Sequence, residues 1–258
     1  MELPLIPLEK FQIFLLCLAR VIAIVTAIPV FAGKQAPPQV KIGIGFATAI
    51  LLFPFLASHT PAIDTGLLNY AVILLNEIAI GLLLGLMTQL IFTAISFGGT
   101  IIGYQMGFAA ANIFDPQTTQ QLSLMSQFSN VFAILLFLTL NLHHLFFQVI
   151  LDSYILLPPG MLDYGGGSVP LLMDLAGHMF LLAVQLSAPV LALLLISNLV
   201  LGILARVFPQ LNVFMLSFPM NIGIALLVIG LTFQFLPMIV RQEFDNLTGH
   251  FIDIFQLL

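Results

Sequence analysis

Four stretches of this chain contain no Asp, Glu, Lys or Arg: 78–114, 116–151, 175–205 and 207–240. A helix of about 20 apolar residues crosses the hydrocarbon core of a bilayer, and each stretch is longer than that. Apolar residues make up 60% of the 258, charged residues 7%, and mean hydropathy is +1.16. Soluble domains sit at roughly 45–50% apolar and about 25% charged. The fold class that follows is all-α: a polytopic, apolar, helical membrane protein, covered by lipid or by protein partners as apolar as itself.

The pattern predicts about six long helices in hairpins, near Leu8–Phe31, Val40–Ala57, Leu67–Phe97, Ser123–Tyr154, Leu171–Arg206 and Leu211–Val240. An amphipathic tail, 243–255, follows the last of them. Gly33 with Pro37 and Pro38 marks one loop, and the glycine- and proline-rich segment 157–170 marks another. The third helix is longer than one crossing requires, so a tilt, a break or an extension beyond the membrane is expected. No soluble domain stands apart. The expectation is one subunit over 1–258, with helices one to four in 1–170 and a helical hairpin with its tail in 171–258. Counting basic residues in alternate loops, Lys34, Lys41 and Arg206 against Lys10 and Arg241, places both termini outside. The opening MELPLIPLEKF lacks the positive start of a cleaved signal, so the first helix is expected to be retained. Cys17 reads as a small core residue.

The stretch GTIIGYQMGFAAANIFDP, Gly99 to Pro116, carries the most specific local pattern. Gly99, Gly103, Gly107 and Ala111 recur every fourth residue, a spacing that leaves one helix face smooth and lets another backbone come close. Asn112, Asp115 and Pro116 are expected to stop that helix and leave Ile113 and Phe114 on the turn. A close-packing helix ending in a bulky apolar turn points to a plug, gate or interface rather than a reaction centre.

Chemistry finds little footing. His143 and His144 are adjacent, so on a helix they diverge by about 100° and do not form a two-histidine clamp. His-Glu-x-x-His, Gly-x-Ser-x-Gly and a phosphate loop are all missing from the sequence. Net charge is −5 with no basic patch, which excludes nucleic acid as a partner. No enzymatic activity, cofactor or metal is expected. Two ionisable residues lie inside apolar helices, Arg20 and Glu77. Such residues are costly in a membrane. They read either as a buried structural pair or as the substrate path of a stand-alone secondary transporter. Glu77 is followed by Gly81 and Gly85, a second smooth face. Finally, RVFPQLNVF forms a hairpin turn: Arg206 at the water boundary, Pro209 ending one helix, Gln210 and Asn212 satisfying freed backbone groups.

Taken together these fragments resemble the FliR family, the R-type subunit of the flagellar type III protein export gate. The resemblance rests on Arg20 with Pro29 and Phe31, Glu77–Gly81–Gly85, GYQMGFAAANIFDP, NLHHLFF, and NLVLGILARVFPQLNVF, in order over residues 11 to about 240. Homologous subunits serve injectisomes. The resemblance implies a helical assembly with P-type and Q-type subunits (FliP and FliQ), beside the switch subunit FlhB, in the bacterial inner membrane at the flagellar basal body. That assembly is the channel for unfolded export substrates. The resemblance further implies that the loop 107–116 plugs the closed pore, with Met106, Gly107, Phe108, Ile113, Phe114, Asp115 and Pro116 as its residues. The four-residue spacing assigns Gly81, Gly85, Gly99, Gly103 and Gly107 to helix packing, and the resemblance puts Arg206, Pro209, Gln210 and Asn212 at a cytoplasmic turn. Two departures stand out: the plug is alanine-rich here, and the family's glycine before the histidine is replaced by Asn141 and Leu142.

Overall fold

A computed structural model describes residues 7–28, 30, 37–60, 66–108, 123–161, 167–210 and 212–258. The described residues form eight α-helices and no strand: α1 Leu8–Ala27, α2 Pro38–His59, α3 Leu67–Gln105, α4 Leu124–Thr139, α5 His143–Leu156, α6 Ser168–Val207, α7 Val213–Thr232 and α8 Leu236–Leu257. Five of them are long and apolar enough to cross a membrane, and a sixth crossing exists if α4 and α5 count as one broken span. Pro54, Pro189 and Pro219 lie inside helices, a placement that membrane helices tolerate better than soluble ones.

Three predicted boundaries move. The third helix does not stop at Phe97 but continues to Gln105, through Gly98 and Gly99. The predicted helix Ser123–Tyr154 is two helices, broken at Leu140–Leu142. Asn141 adopts φ 55° at that break, a left-handed conformation that Asn tolerates better than other residues with a side chain. The last predicted helix ends at Thr232, and after Phe233–Phe235 a new helix carries the amphipathic tail to Leu257. Pro237 sits in the first turn of α8, where a missing N–H costs no hydrogen bond.

The chain divides into two compact units. Unit one takes residues up to Leu90, Asn141–Leu175 and Glu243–Leu258. Its centre is α1, where Leu16, Cys17, Arg20, Val21, Ala23, Ile24 and Val25 are buried. On one side Phe14 meets Phe46 and Phe53 of α2 edge-to-face, at 5.9 and 5.5 Å between ring centroids. From α8, Phe244, Leu247, Phe251, Ile254 and Phe255 are buried at spacings of three and four, the stripe of an amphipathic helix. Unit two takes Ile91–Leu140 and Ala176–Gln242. Its core gathers Ile102, Met106, Met125, Val190, Leu194, Ala225, Val228 and Ile229. Phe132 stacks on Phe233 at 4.4 Å. Many large apolar side chains, such as Leu51, Leu67, Leu195 and Met238, remain exposed. A surface this apolar calls for lipid or protein cover.

Candidate functional site

Inside unit one, Arg20 of α1 is fully buried and so is Glu77 of α3. Arg20 Nε donates to Glu77 Oε2 at 2.5 Å and Nη2 donates to Oε1 at 2.9 Å, a bidentate pair. Nη1 donates to the Ser153 carbonyl at 2.9 Å, and Nη1 and Nη2 both donate to the Leu157 carbonyl at 3.1 Å. The guanidinium carbon lies 4.2 Å from the centroid of the Tyr154 ring. Every N–H of the guanidinium therefore has an acceptor. Two of those acceptors are carbonyls at the C-terminal end of α5, where a cation is favoured by the helix dipole. One side chain thus ties α1, α3 and the end of α5 together with its charge balanced in place. The Tyr154 hydroxyl is buried beside the Cys17 thiol.

The smooth faces of α3 are used at short range within the chain. A Cβ on Gly81 or Gly85 would collide with Ala23 or Ala27 of α1, whose backbone comes within van der Waals contact. In unit two a Cβ on Gly99 would stand 2.8 Å from the Met125 carbonyl and 2.7 Å from Ser129 Oγ, and one on Gly103 would collide with Ser123. About 100° around the helix, a Cβ on Gly98 would lie 3.0 Å from the Ala183 carbonyl of α6. Glycine at these positions lets α1, α4 and α6 each approach α3 more closely than a side chain would allow.

Gly107 does something different from these glycines. Its φ is +91°, Gly107 N donates to the Tyr104 carbonyl at 3.1 Å, and Phe108 N donates to the Gly103 carbonyl at 3.2 Å. That pair of bonds around a left-handed residue is the Schellman helix stop. The helix ends here, and not at Asn112–Pro116 as the sequence suggested. A Cβ at Gly107 would lie 2.7 Å from the Phe218 ring of α7. Met106 is buried in the unit-two core, and Phe108 packs against the same cluster. Ile113, Phe114, Asp115 and Pro116 lie outside the described residues, as does the alanine run before them.

At the α6–α7 turn, Arg206 ends α6 exposed, Pro209 and Gln210 form the turn, and Asn212 caps α7. The Asn212 side chain accepts from Met215 N at 3.2 Å. His143 and His144 open α5 with ring centroids 4.3 Å apart. Among the described residues, no three His, Cys, Asp or Glu side chains gather as metal ligands would. One polar cluster escaped the sequence reading: Ser197, Asn198 and Asn221 meet between α6 and α7. Its only signal was the presence of amides in a charge-free apolar stretch.

Membrane-length apolar helices, clamped by a saturated ion pair and by glycine contacts, define a polytopic helical membrane protein. Residues 11–247 match the family of bacterial export proteins, family 1. The chain is similar to the flagellar biosynthetic protein FliR of Pectobacterium carotovorum subsp. carotovorum, 34% identical over 91% of this chain and 89% of that one. To FliR of Bacillus subtilis (strain 168) it is 33% identical over 92% of each chain. To FliR of Escherichia coli (strain K12) it is 28% identical over 92% of this chain and 90% of that one. The chain belongs to the FliR family of bacterial export proteins, as a membrane component of the flagellar export apparatus. The relatives bear the name of flagellar biosynthetic proteins and not of an enzyme family.

Proposed function

We propose that this chain is a core subunit of the export gate, sitting in the inner membrane with P-type and Q-type subunits, FliP and FliQ. Together they would form the channel through which unfolded flagellar proteins leave the cytoplasm. The segment from Met106 to Pro116 seals that channel when it is closed. The hairpin 175–240 lies beside Q-type hairpins, and its turn at Arg206–Asn212 faces the cytoplasm near FlhB.

One observation carries the seal. A long charge-free helix segment ends at a glycine stop whose flanks, Met106 and Phe108, are rooted in an apolar core. A segment fixed at its root and bulky beyond it, with Ile113 and Phe114, suits a constriction that excludes water by dewetting. Methionine beside it repacks readily around varied shapes. The transporter reading finds less support, since every donor of Arg20 is already engaged and none is left to hold a substrate.

Bilayer recordings of the purified gate test the seal. With Ile113 and Phe114 both replaced by alanine, the closed gate is expected to leak ions at several times the wild-type level. Unchanged conductance would remove both residues from the plug.

A further inference from the structure

Both helices of the α6–α7 hairpin are apolar on every side over long stretches. Between Ser187 and Arg206 the only polar side chains are Ser197 and Asn198, and between Ser217 and Thr232 the only one is Asn221. These three meet. Ser197 Oγ donates to Asn221 Oδ1 at 3.0 Å, and Asn221 Nδ2 donates to Asn198 Oδ1 at 3.0 Å. Asn221, buried at 7% exposure, thus spends both ends of its amide on two consecutive residues of α6.

The surrounding contact has a heptad rhythm. Ala183, Ser187, Val190, Leu194, Ser197 and Leu201 are buried on α6 in steps of four and three, and Asn221, Ala225 and Val228 follow the same steps on α7. Ser197 and Asn221 make a polar layer in that seam. Ser187 does not, because its hydroxyl donates back to the Ala183 carbonyl of its own helix at 3.0 Å. One heptad from the polar layer, Val190 and Val228 share an apolar cluster.

Hydrophobic burial follows area, so a helix that is apolar all round gains about as much from one face as from another. The turn at 208–212 sets the register of such a hairpin and leaves the rotation of α7 about its own axis open. The amide closes that choice. One residue of rotation, about 100°, takes Asn221 away from both partners and leaves its amide unmatched among aliphatic side chains, where desolvation penalises it. A single buried Asn selects one arrangement of a coiled coil in the same way, at some cost in stability.

We infer that Asn221, read by Ser197 and Asn198, is an orientation lock: it selects which faces of α6 and α7 meet and keeps Leu193 and Leu227 outward. The lock belongs to the fold of this chain and holds with or without the gate reading.

The test uses the purified full chain in mild detergent, with Cys17→Ala as background and spin labels on cysteines at the exposed positions 193 and 227. The distance between the labels is read by pulsed electron resonance, beside a thermal melt. With Asn221 in place one narrow distance peak is expected. Asn221→Leu is expected to at least double the width of that peak or add a second one, while the melting midpoint stays or rises. Ser197→Ala with Asn198→Ala strips Asn221 of both partners by smaller changes, and it decides the matter if the leucine variant does not melt cooperatively. There too the peak is expected to widen. A folded Asn221→Leu variant, or a double alanine variant, that keeps the single narrow peak overturns the inference. A lowered midpoint with that peak intact would make the cluster an ordinary stabilising contact and overturns it as well.

Discussion

Arg20 and Glu77, 57 residues apart in sequence, form a bidentate ion pair with no exposed surface, and the same guanidinium closes the carbonyl end of α5. The pair holds three helices of unit one in register. Its chemistry is spent on structure: each donor has an acceptor, and the charges cancel where they stand. Carriers leave such groups free to change partners.

Removing one member exposes that role. Glu77→Ala leaves a buried guanidinium without a counter-charge, a change that costs about 3–5 kcal/mol in buried pairs. A marked fall in the thermal midpoint of the detergent-solubilised protein is expected. Replacing both, Arg20→Met with Glu77→Leu, is expected to recover much of the loss, because no buried charge remains. An unchanged midpoint in Glu77→Ala would refute the structural account of the pair.

Glycine packing yields a prediction whose sign runs against helix propensity. Alanine is favoured over glycine by about 1 kcal/mol in a helix interior. At Gly85, however, the added methyl meets Ala27 of α1, and overpacking typically costs about 1–3 kcal/mol. Gly85→Ala is therefore expected to lower the melting midpoint. Gly177→Ala, on α6 with open space at its Cβ position, is expected to leave it unchanged or raise it. Equal responses at both sites would show that α1 and α3 are not in close contact.

Gly107 combines two constraints that separate by mutation. A left-handed residue with a side chain costs about 1–2 kcal/mol, and Phe218 occupies the space a Cβ would need. Gly107→Ala is expected to destabilise the chain, and Phe218→Ala added to it to relieve the contact but not the backbone strain. Urea-free thermal melts of the single and double variants check this. Full recovery in the double variant would mean that the backbone turn at 107 carries no strain.

Asn141 stands where the family's pattern has glycine nearby, and its φ of 55° explains what the side chain must tolerate. Asn141→Gly is expected to be neutral. Asn141→Val, β-branched and poorly suited to a left-handed turn, is expected to cost at least about 1 kcal/mol by the same backbone argument. Protease cleavage between α4 and α5 would report the difference, with faster cutting in the valine variant.

Particular residues show how far the sequence could be read. The absence of charge gave the helices their places, since apolar runs of more than about 20 residues satisfy their backbone in lipid as helices. Arg20 and Glu77 were legible as the two intramembrane charges. Their pairing was one of the two readings the sequence offered; that Ser153 and Leu157 join them was not legible, because those contacts span 133 and 137 residues of sequence. The third helix was expected to end near Phe97; it runs on through Gly98 and Gly99 to Gln105, with α6 packed at Gly98 and α4 at Gly99. The break at Leu140–Leu142 has neither Gly nor Pro to mark it. The start of α8 did have its mark in Pro237. The cluster of Ser197, Asn198 and Asn221 needed α6 and α7 side by side to be seen at all.

The most direct measurement is a micrograph-based structure of the complex extracted from membranes that make the whole export apparatus. The account predicts this chain within one large particle beside P-type and Q-type subunits, with residues 106–116 across the axis of a closed channel. A chain found alone in lipid, or in a particle with that segment far from any passage, would contradict it.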